Sequence, residues 1–421
     1  MELKKIRGVR DILPEDTEKI RYIVNKFSDI SKKFLFREVL LPTIEYFQLY
    51  NHTLGETTEI VNKQMFEIAL RSEEDQEKMV LRPEGTAGML RVFLENNLRD
   101  KYPLKRFFYF GPMFRYERPQ KGRYREFYQF GLEIFGEPAV GSDFLIIFLI
   151  NNMLNAIGIK YELEINSIGC VNCRKNFISY LKEYLNEIRD NLCDLCKKRL
   201  DSNPLRILDC KSDSKLFSEK EINIQKFLCD NCKRDFDSTI KLLDEMKIKY
   251  KIVPTLVRGL DYYNGFVFEY KTELLNAAQN TICAGGRYDE LIKRYDKQTG
   301  FACGAAFGID RILEIFKYNN DKKQQNIKIG IATVNDDFFV TAVKILEQIV
   351  SCYNLILIGP FYKKSFKSQL RMFNNEKCKY VIIVGEETKN NKVVIKNFQA
   401  NVQQEVEVDR LINFINSDSD N

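Results

Sequence analysis

The segments KRFFYFGPMFRYE, Lys105 to Glu117, and REFYQFGLEIFG, Arg125 to Gly136, restrict the fold more than any other part of the chain. Both are rich in the aromatic residues that favour strands, and only a short basic loop, QKGR, lies between them. Two strands so closely connected pair antiparallel. The hairpin is also heavily charged. Arg106, Arg115, Arg118, Arg123 and Arg125 interleave with aromatics, and Gln129 and Glu133 follow. Guanidinium forks match phosphate oxygens and stack on aromatic faces, while an amide and a carboxylate suit a small cationic or hydrogen-bonding ligand. Residues 129 and 133 are an even count apart, so on a strand they share one face. The pattern reads as a nucleotide site beside a polar-ligand site. The plainer alternatives are solvated surface for Arg106, Arg118 and Arg125 and a structural ion pair for Glu133.

At 421 residues the chain is too long for one core, and two or three domains are expected. Helical spacing runs from about Glu15 to Phe36, and FREVLLPTIEY then reads as a strand ending near Pro42. VLRPEGTAG, Val80 to Gly88, reads as strand, turn and a helix from Thr86 onward. SDFLIIFLINNMLNAIGI is helical, and YELEINSIG alternates as a strand. From Cys170 to Lys249 come seven of the eleven cysteines, with helical periodicity and no strand pattern. Strands return in KIVPTLVRGLDYYNGFVFEY. TICAGGRYDELIKRY turns at Gly285 and Gly286 into a helix, and CGAAFGIDRILEIF is a small-residue strand feeding a helix. After the polar linker DKKQQN, Asp321 to Asn326, strands and helices alternate in the manner of a separate α/β unit with parallel strands.

The net charge of +6 permits a nucleic-acid partner without requiring one. MELKKIRGVRDILPED has no signal-peptide pattern, and the run FLIIFLI, Phe144 to Ile150, ends at Asn151, short of the roughly 20 residues of a membrane span. A cytoplasmic protein that does not engage a membrane is expected. Its cysteines are then thiols or metal ligands rather than disulfides. Three CxxC pairs stand at Cys170 and Cys173, Cys193 and Cys196, and Cys229 and Cys232, with Cys210 between the last two. Two such pairs can close a tetrahedral zinc site; equally, cysteines at helical i, i+3 spacing can simply pack. The one histidine, His52, reads as the polar end of a helix and loop, the alternative being a general base, so any mechanism has to proceed without a histidine base unless His52 supplies it.

Five segments, in order, resemble the class II aminoacyl-tRNA synthetases, and within them the histidyl-tRNA synthetase family. FREVLLPTIEY resembles motif 1, FRYERPQKGRYREFYQFGLEIFG motif 2 and GAAFGIDRI motif 3. LVRGLDYYNGFVFEY and AGGRYDEL are similar to the two signatures of the histidine enzymes. The resemblance implies an α+β fold: a class II antiparallel sheet of six or seven strands with flanking helices, a helical insertion, and a C-terminal α/β anticodon-binding domain. The implied boundaries are 1–169 and 250–320 for the two parts of the catalytic domain, 170–249 for the Cys-rich insertion and 328–421 for the anticodon-binding domain. It further implies activation of L-histidine by ATP with Mg2+, transfer to tRNA(His), and a homodimer built on motif 1. Arg115 and Arg258 would be catalytic at the α-phosphate. Arg115, Arg123 and Arg311 would hold ATP phosphates, and Glu117 the adenine amine. Glu84, Gly85, Thr86 and Gln129 would surround the substrate's α-amino group; Glu133 and Tyr263 would meet its ring nitrogens, with Tyr262, Tyr288, Arg115 and Arg258 completing the pocket. Gln120 and Lys121 would face tRNA. Tyr116 and Tyr128 stand where the family commonly has histidine. The family also contains a non-catalytic relative, the regulatory subunit of ATP phosphoribosyltransferase, which typically lacks the C-terminal domain and loses the phosphate-binding arginines.

Overall fold

The computed structural model describes residues 3–56, 58–69, 77–210, 212–213, 216, 222–276, 279–318, 327–350, 355–398 and 400–417. It divides into two compact units, Met1–Lys317 and Tyr318–Asn421, and the expected linker DKKQQN lies outside the described residues.

The first unit opens with a helix, Pro14–Lys33, that follows the rules for helix ends. Proline occupies its first turn, Glu15 and Asp16 sit at the positive end, and Lys32 and Lys33 at the negative end. Ile20, Ile23, Val24 and Phe27 form its buried stripe. The main sheet has eight strands. In spatial order they are Arg37–Glu38, Lys105–Phe114, Glu126–Phe135, Ala302–Gly308, Thr281–Arg287, Asn264–Lys271, Glu162–Ser167 and Lys251–Ile252. The six central strands are antiparallel, and a two-residue strand pairs in parallel at each edge, which takes the count beyond the six or seven expected. FREVLLPTIEY is not one strand: its strand in the main sheet ends at Glu38, well short of Pro42, and Ile44–Tyr46 joins a separate three-stranded sheet with Met79–Leu81 and Phe66–Glu67.

The register explains where the site is. Gln129 lies between Gly111 and Gly308, and Glu133 lies between Phe107 and Gly304, so three glycines leave room on the face those side chains share. Gly285 and Gly286 lie inside the Thr281–Arg287 strand instead of making a turn. A Cβ on Gly285 would stand 2.1 Å from the Gly304 carbonyl oxygen, so glycine is used there for close strand approach. The stretch after Ile252 is irregular as far as Tyr263, a span holding Pro254 and Gly259, and Arg258, Tyr262 and Tyr263 therefore sit on a loop where a strand was expected.

The helix Ala139–Ala156 contains FLIIFLI and is long and apolar enough, by length and composition, to cross a membrane. Here it is a core helix: Ile146, Ile147, Leu149, Ile150, Met153 and Leu154 are buried, and its Asp143 pairs with Arg287 of the sheet. The Cys-rich region forms helices Val171–Glu187, Asp194–Ser202 and Asp230–Glu245. Its Phe177, Leu181 and Leu185 belong to the same apolar cluster as Tyr50, Phe93 and Tyr288, and Asp235 meets Arg287 at 3.2 Å, so this region and the sheet share one core.

The second unit has a five-stranded sheet in the order Leu355–Ile358, Ile327–Thr333, Tyr380–Val384, Lys392–Asn397, Val402–Glu407. The first three strands are parallel, with helices Phe339–Ile349 and Phe366–Asn375 as crossovers. The last two, which the strand pattern did not single out, are antiparallel because their connections are too short for a crossover.

Candidate active site

A cleft of about 600 Å³ opens over the hairpin face of the sheet, and Glu84, Thr86, Arg115, Glu117, Arg123, Gln129, Arg258, Tyr262, Tyr263 and Arg311 all line it. Arg199 and Arg206 line it as well, so six arginines border one space. Arg115 leaves the end of the Lys105–Phe114 strand, lies 5.2 Å from the Phe127 ring centroid and donates Nε to the Pro83 carbonyl at 2.9 Å. Arg311, in the helix that follows the Ala302–Gly308 strand, donates to the Thr281 carbonyl at 2.6 Å and the Gly122 carbonyl at 3.3 Å. Burial lowers the pKa of Arg115, Arg123 and Arg311, and after burial Arg115 depresses Arg123 while both depress Arg311. They remain cations at neutral pH, and crowding like charges is relieved by a polyanion.

Arg258 is fixed from two sides. Its guanidinium pairs with Glu269, and its carbonyl accepts a hydrogen bond from Arg206 Nη1 at 3.1 Å. Its Nε is buried without a hydrogen-bond partner. Glu269 and Arg206 were not singled out in the sequence. GFVFEY does carry the signal for Glu269, a lone carboxylate in an apolar strand, whereas nothing local marks Arg206.

Glu133 is fully buried beneath the cleft. It accepts hydrogen bonds from Thr86 Oγ1 at 2.8 Å, Tyr109 OH at 3.4 Å and Tyr288 OH. Burial raises its pKa to about 8, against the pull of the Tyr288 and Thr86 hydroxyls. Tyr109 was also missed. It is wedged between Gly85 and Gly131, where an added Cβ would stand 2.2 Å and 2.0 Å from its ring atoms, so Gly85 acts as a clearance for Tyr109. Glu84 accepts from the Thr86 and Ala87 amides, each at 2.8 Å, and so sits at the positive end of the Thr86–Glu95 helix. Gln129 Oε1 is buried in the cleft without a hydrogen-bond partner. Tyr262 and Tyr263 both face the cleft with ring centroids 4.5 Å apart, and Tyr288 packs on Tyr262 at 5.6 Å. Burial raises the Tyr263 pKa to about 12, so its hydroxyl stays protonated.

Because Glu133 holds its proton in the folded state up to about pH 8 and in the unfolded chain only to about 4.5, it stabilises the fold most below pH 4.5, and that contribution is lost as pH rises through 8. Thermal melts from pH 5 to 9 should therefore show the parent protein losing ground to Glu133→Gln as pH increases. Equal pH dependence of the two proteins would contradict a raised carboxyl pKa.

The remaining expected residues lie at the rim. Glu117 and Arg123 are paired with each other. Gln120 to Arg123 form a tight turn closed by two backbone hydrogen bonds, with Gly122 at φ +72°, and Gln120 and Lys121 are exposed at its tip. The exposed Tyr116 lies under the Arg125 guanidinium at 3.8 Å, and the Tyr128 amide donates to Asp310, which also pairs with Arg10. His52 is exposed in the last turn of the Phe47–Leu54 helix, outside the cleft.

The six CxxC cysteines do not make a single cluster. Cys170, Cys173, Cys229 and Cys232 form one group, and Cys193 and Cys196 belong to another with Cys210 and Asp213. In the first, each pair spans the start of a helix, the Cys170 and Cys173 sulfurs are 3.5 Å apart, and the Cys229 amide donates to Cys173 Sγ at 3.1 Å. Burial opposes ionisation of Cys170, yet hydrogen bonds from Cys173 and the Asn172 amide draw its pKa down to about 7.

Residues 8–312 match the model of the histidyl-tRNA synthetase family, and residues 329–418 match an anticodon-binding domain. Histidine–tRNA ligases of Thermosipho melanesiensis and Clostridioides difficile are each 37% identical to this chain, over 97% and 98% of both partners respectively. The crystal structure of apo histidyl-tRNA synthetase from Staphylococcus aureus superimposes with a TM-score of 0.78 at 28% identity, covering 98% of this chain and 99% of that one. A Bacillus halodurans structure described as an ATP phosphoribosyltransferase regulatory subunit/histidyl-tRNA synthetase matches at 0.63 and 21% identity, over 90% of this chain and 98% of that one, a likeness of fold alone.

Proposed function

The chain belongs to the histidyl-tRNA synthetase family, and from that premise we propose which residues carry its reaction. The reaction is histidine–tRNA ligation. L-histidine and ATP give histidyl-adenylate and pyrophosphate, and the histidyl group then passes to the 3′ end of tRNA(His), in the cytoplasm. The regulatory-subunit alternative is disfavoured by the matched anticodon-binding domain and by the retention of Arg115, Arg258 and Arg311.

The observation that supports the assignment is the convergence of Arg115, Arg123, Arg258 and Arg311 with the buried, unpartnered Gln129 Oε1 in one cleft, above the Glu133 cluster that Thr86 joins to it. ATP enters as its Mg2+ complex, the ion arriving on the phosphates as part of the substrate. The ionised carboxylate of histidine attacks the α-phosphorus; one P–O bond forms as the bond to pyrophosphate breaks, and no protein base is needed. Arg115 and Arg258 meet charge developing on the α-phosphoryl oxygens. Arg123 and Arg311 hold the outer phosphates, and Glu117 turns from Arg123 to the adenine amine. Gln129 Oε1 accepts from the substrate's α-ammonium group, with Glu84 and Thr86 beside it. Glu133, directly or through Tyr288, and Tyr263 satisfy the two ring nitrogens, and an apolar competitor would leave those groups unpaired. Histidine-dependent exchange of labelled pyrophosphate into ATP tests the whole assignment; its absence in purified, folded protein would refute it.

The exposed tip of the hairpin is assigned to the acceptor end of tRNA, with Gln120 on a base edge and Lys121 on phosphate. Lys121 is 79% exposed and its nearest carboxylate, Glu314, is 4.0 Å away, so little holds it at home. Lys121→Ala should lower aminoacylation and reduce the slope of its salt dependence by about one phosphate contact, leaving pyrophosphate exchange unchanged. A matching loss in exchange would remove Lys121 from the RNA-facing set. The C-terminal unit holds the anticodon stem. Leu35, Leu40, Ile44 and Tyr46, all exposed in and beside motif 1, supply an apolar surface for a homodimer. The Cys170, Cys173, Cys229 and Cys232 group holds a structural Zn2+, its four sulfurs within 4.8 Å of one another.

A further inference from the structure

We propose that Cys193, Cys196, Cys210 and Asp213 form a second, independent metal centre for Zn2+ or a similar thiolate-seeking divalent ion, and that this centre braces the wall of the cleft that positions Arg258. The four donor atoms lie within 4.8 Å of one another. Cys193 Sγ and Cys210 Sγ are 3.8 Å apart, against about 3.8 Å for the edge of a tetrahedron with Zn–S bonds of about 2.3 Å. Cys196, Cys210 and Asp213 are buried, and the Cys193 amide donates to both Asp213 carboxylate oxygens, at 3.2 and 3.4 Å, which aims that carboxylate at the sulfurs. Three thiols and a carboxylate gathered under apolar cover are costly unless they share a cation. A carboxylate as fourth ligand within a mostly thiolate set is compatible with zinc.

The chain between Cys196 and Cys210 is where this arrangement matters. It carries Arg199, Asn203, Arg206 and Asp209, and three of these, Arg199, Arg206 and Asp209, line the cleft. Arg206 donates to the Arg258 carbonyl, and Asn203 donates to Asp261 at 2.8 Å, so the loop bearing Arg258 to Asp261 rests on this segment. A Cβ on Gly259 would come 3.1 Å from Arg206 Nη1, which shows how closely the Arg206 guanidinium packs on the backbone of that loop. The helix Asp194–Ser202 that begins the segment has only nine residues, and a metal fixing both ends of the segment supplies order that so short a helix lacks. The metal claim stands apart from the reading of the cleft; the bracing claim rests on the role given to Arg258.

Native mass spectrometry and elemental analysis of the parent and of Cys210→Ser test the first claim. The variant should hold one metal fewer per chain than the parent, and Cys173→Ser should lose a different one, so that loss in the double variant is additive. Asp213→Cys should keep the metal, and after cobalt loading its thiolate-to-metal absorption should increase over the parent's. Should Cys210→Ser fail to fold, cobalt titration of Cys173→Ser full-length protein replaces it, with a remaining cobalt-thiolate band expected. The claim is overturned by equal metal content in parent and Cys210→Ser, by no cobalt band in Cys173→Ser, or by a Cys193–Cys210 disulfide in place of the metal. For the bracing role, Cys210→Ser should lower kcat of pyrophosphate exchange roughly 10-fold or more with little change in the KM for histidine, and Asp213→Cys should retain near-parental kcat. Unaltered kcat in a variant that has lost the metal overturns the bracing role while leaving the assignment of the active site untouched.

Discussion

Arg258→His should slow histidine-dependent pyrophosphate exchange by about 10²-fold or more while leaving histidine affinity nearly intact. Arg258 is held by Glu269 on one side and by Arg206 on its own carbonyl, so its guanidinium is placed before substrate arrives. A group fixed in that way acts on charge that appears only as the α-phosphorus is attacked, and its removal is therefore felt in kcat rather than in ground-state binding. Imidazole cannot reach the same point, is shorter, and is mostly neutral at pH 7. Single-turnover measurement of adenylate formation, alongside a direct histidine titration, separates the two effects. An Arg258→His protein with normal exchange would take the residue off the catalytic list.

Glu133→Gln should weaken histidine by about 2 to 5 kcal/mol with ATP affinity almost unchanged. The carboxyl is surrounded by the hydroxyls of Thr86, Tyr109 and Tyr288, all placed to donate to it, and an amide NH2 would oppose at least one of them. Gly304→Ala approaches the same site from the neighbouring strand. Its Cβ would stand 1.7 Å from Glu133 Oε2, so the carboxyl has to move, and histidine binding should fail along with a fall in melting temperature. Isothermal titration with each substrate distinguishes these outcomes: equal loss of histidine and ATP would indicate general damage to the fold rather than to the imidazole pocket.

The parts of the site legible in the sequence are those whose geometry is local. The hairpin fixed Arg115 and Arg123, strand periodicity put Gln129 and Glu133 on one face, and RPEGT placed Thr86 at a helix start. What was not legible depends on long-range contact. The use of Gly85, Gly131 and Gly304 as clearances shows only when Tyr109 and Glu133 are packed against them. Arg206 reaches Arg258 across 52 positions, and the sorting of the cysteines into two groups depends on which helix starts meet. Gly285 and Gly286 misled for a related reason: a pair of glycines signals a turn locally, while here it answers the backbone of a neighbouring strand.

The order of strands in the main sheet has a consequence for how the chain is made. Glu126–Phe135, which bears the substrate-facing residues, pairs on one side with a strand already synthesised and on the other with Ala302–Gly308. A ribosome adding about 5–20 residues per second takes on the order of 8–30 s to reach that partner. For that interval the nascent hairpin presents an open, aromatic-rich edge to the cell, and no rearrangement of the hairpin itself can close it. The translating chain therefore depends on whatever shields that edge, and a pause in translation between Gly136 and Ala302 should lower the yield of native enzyme more than an equal pause after Gly308.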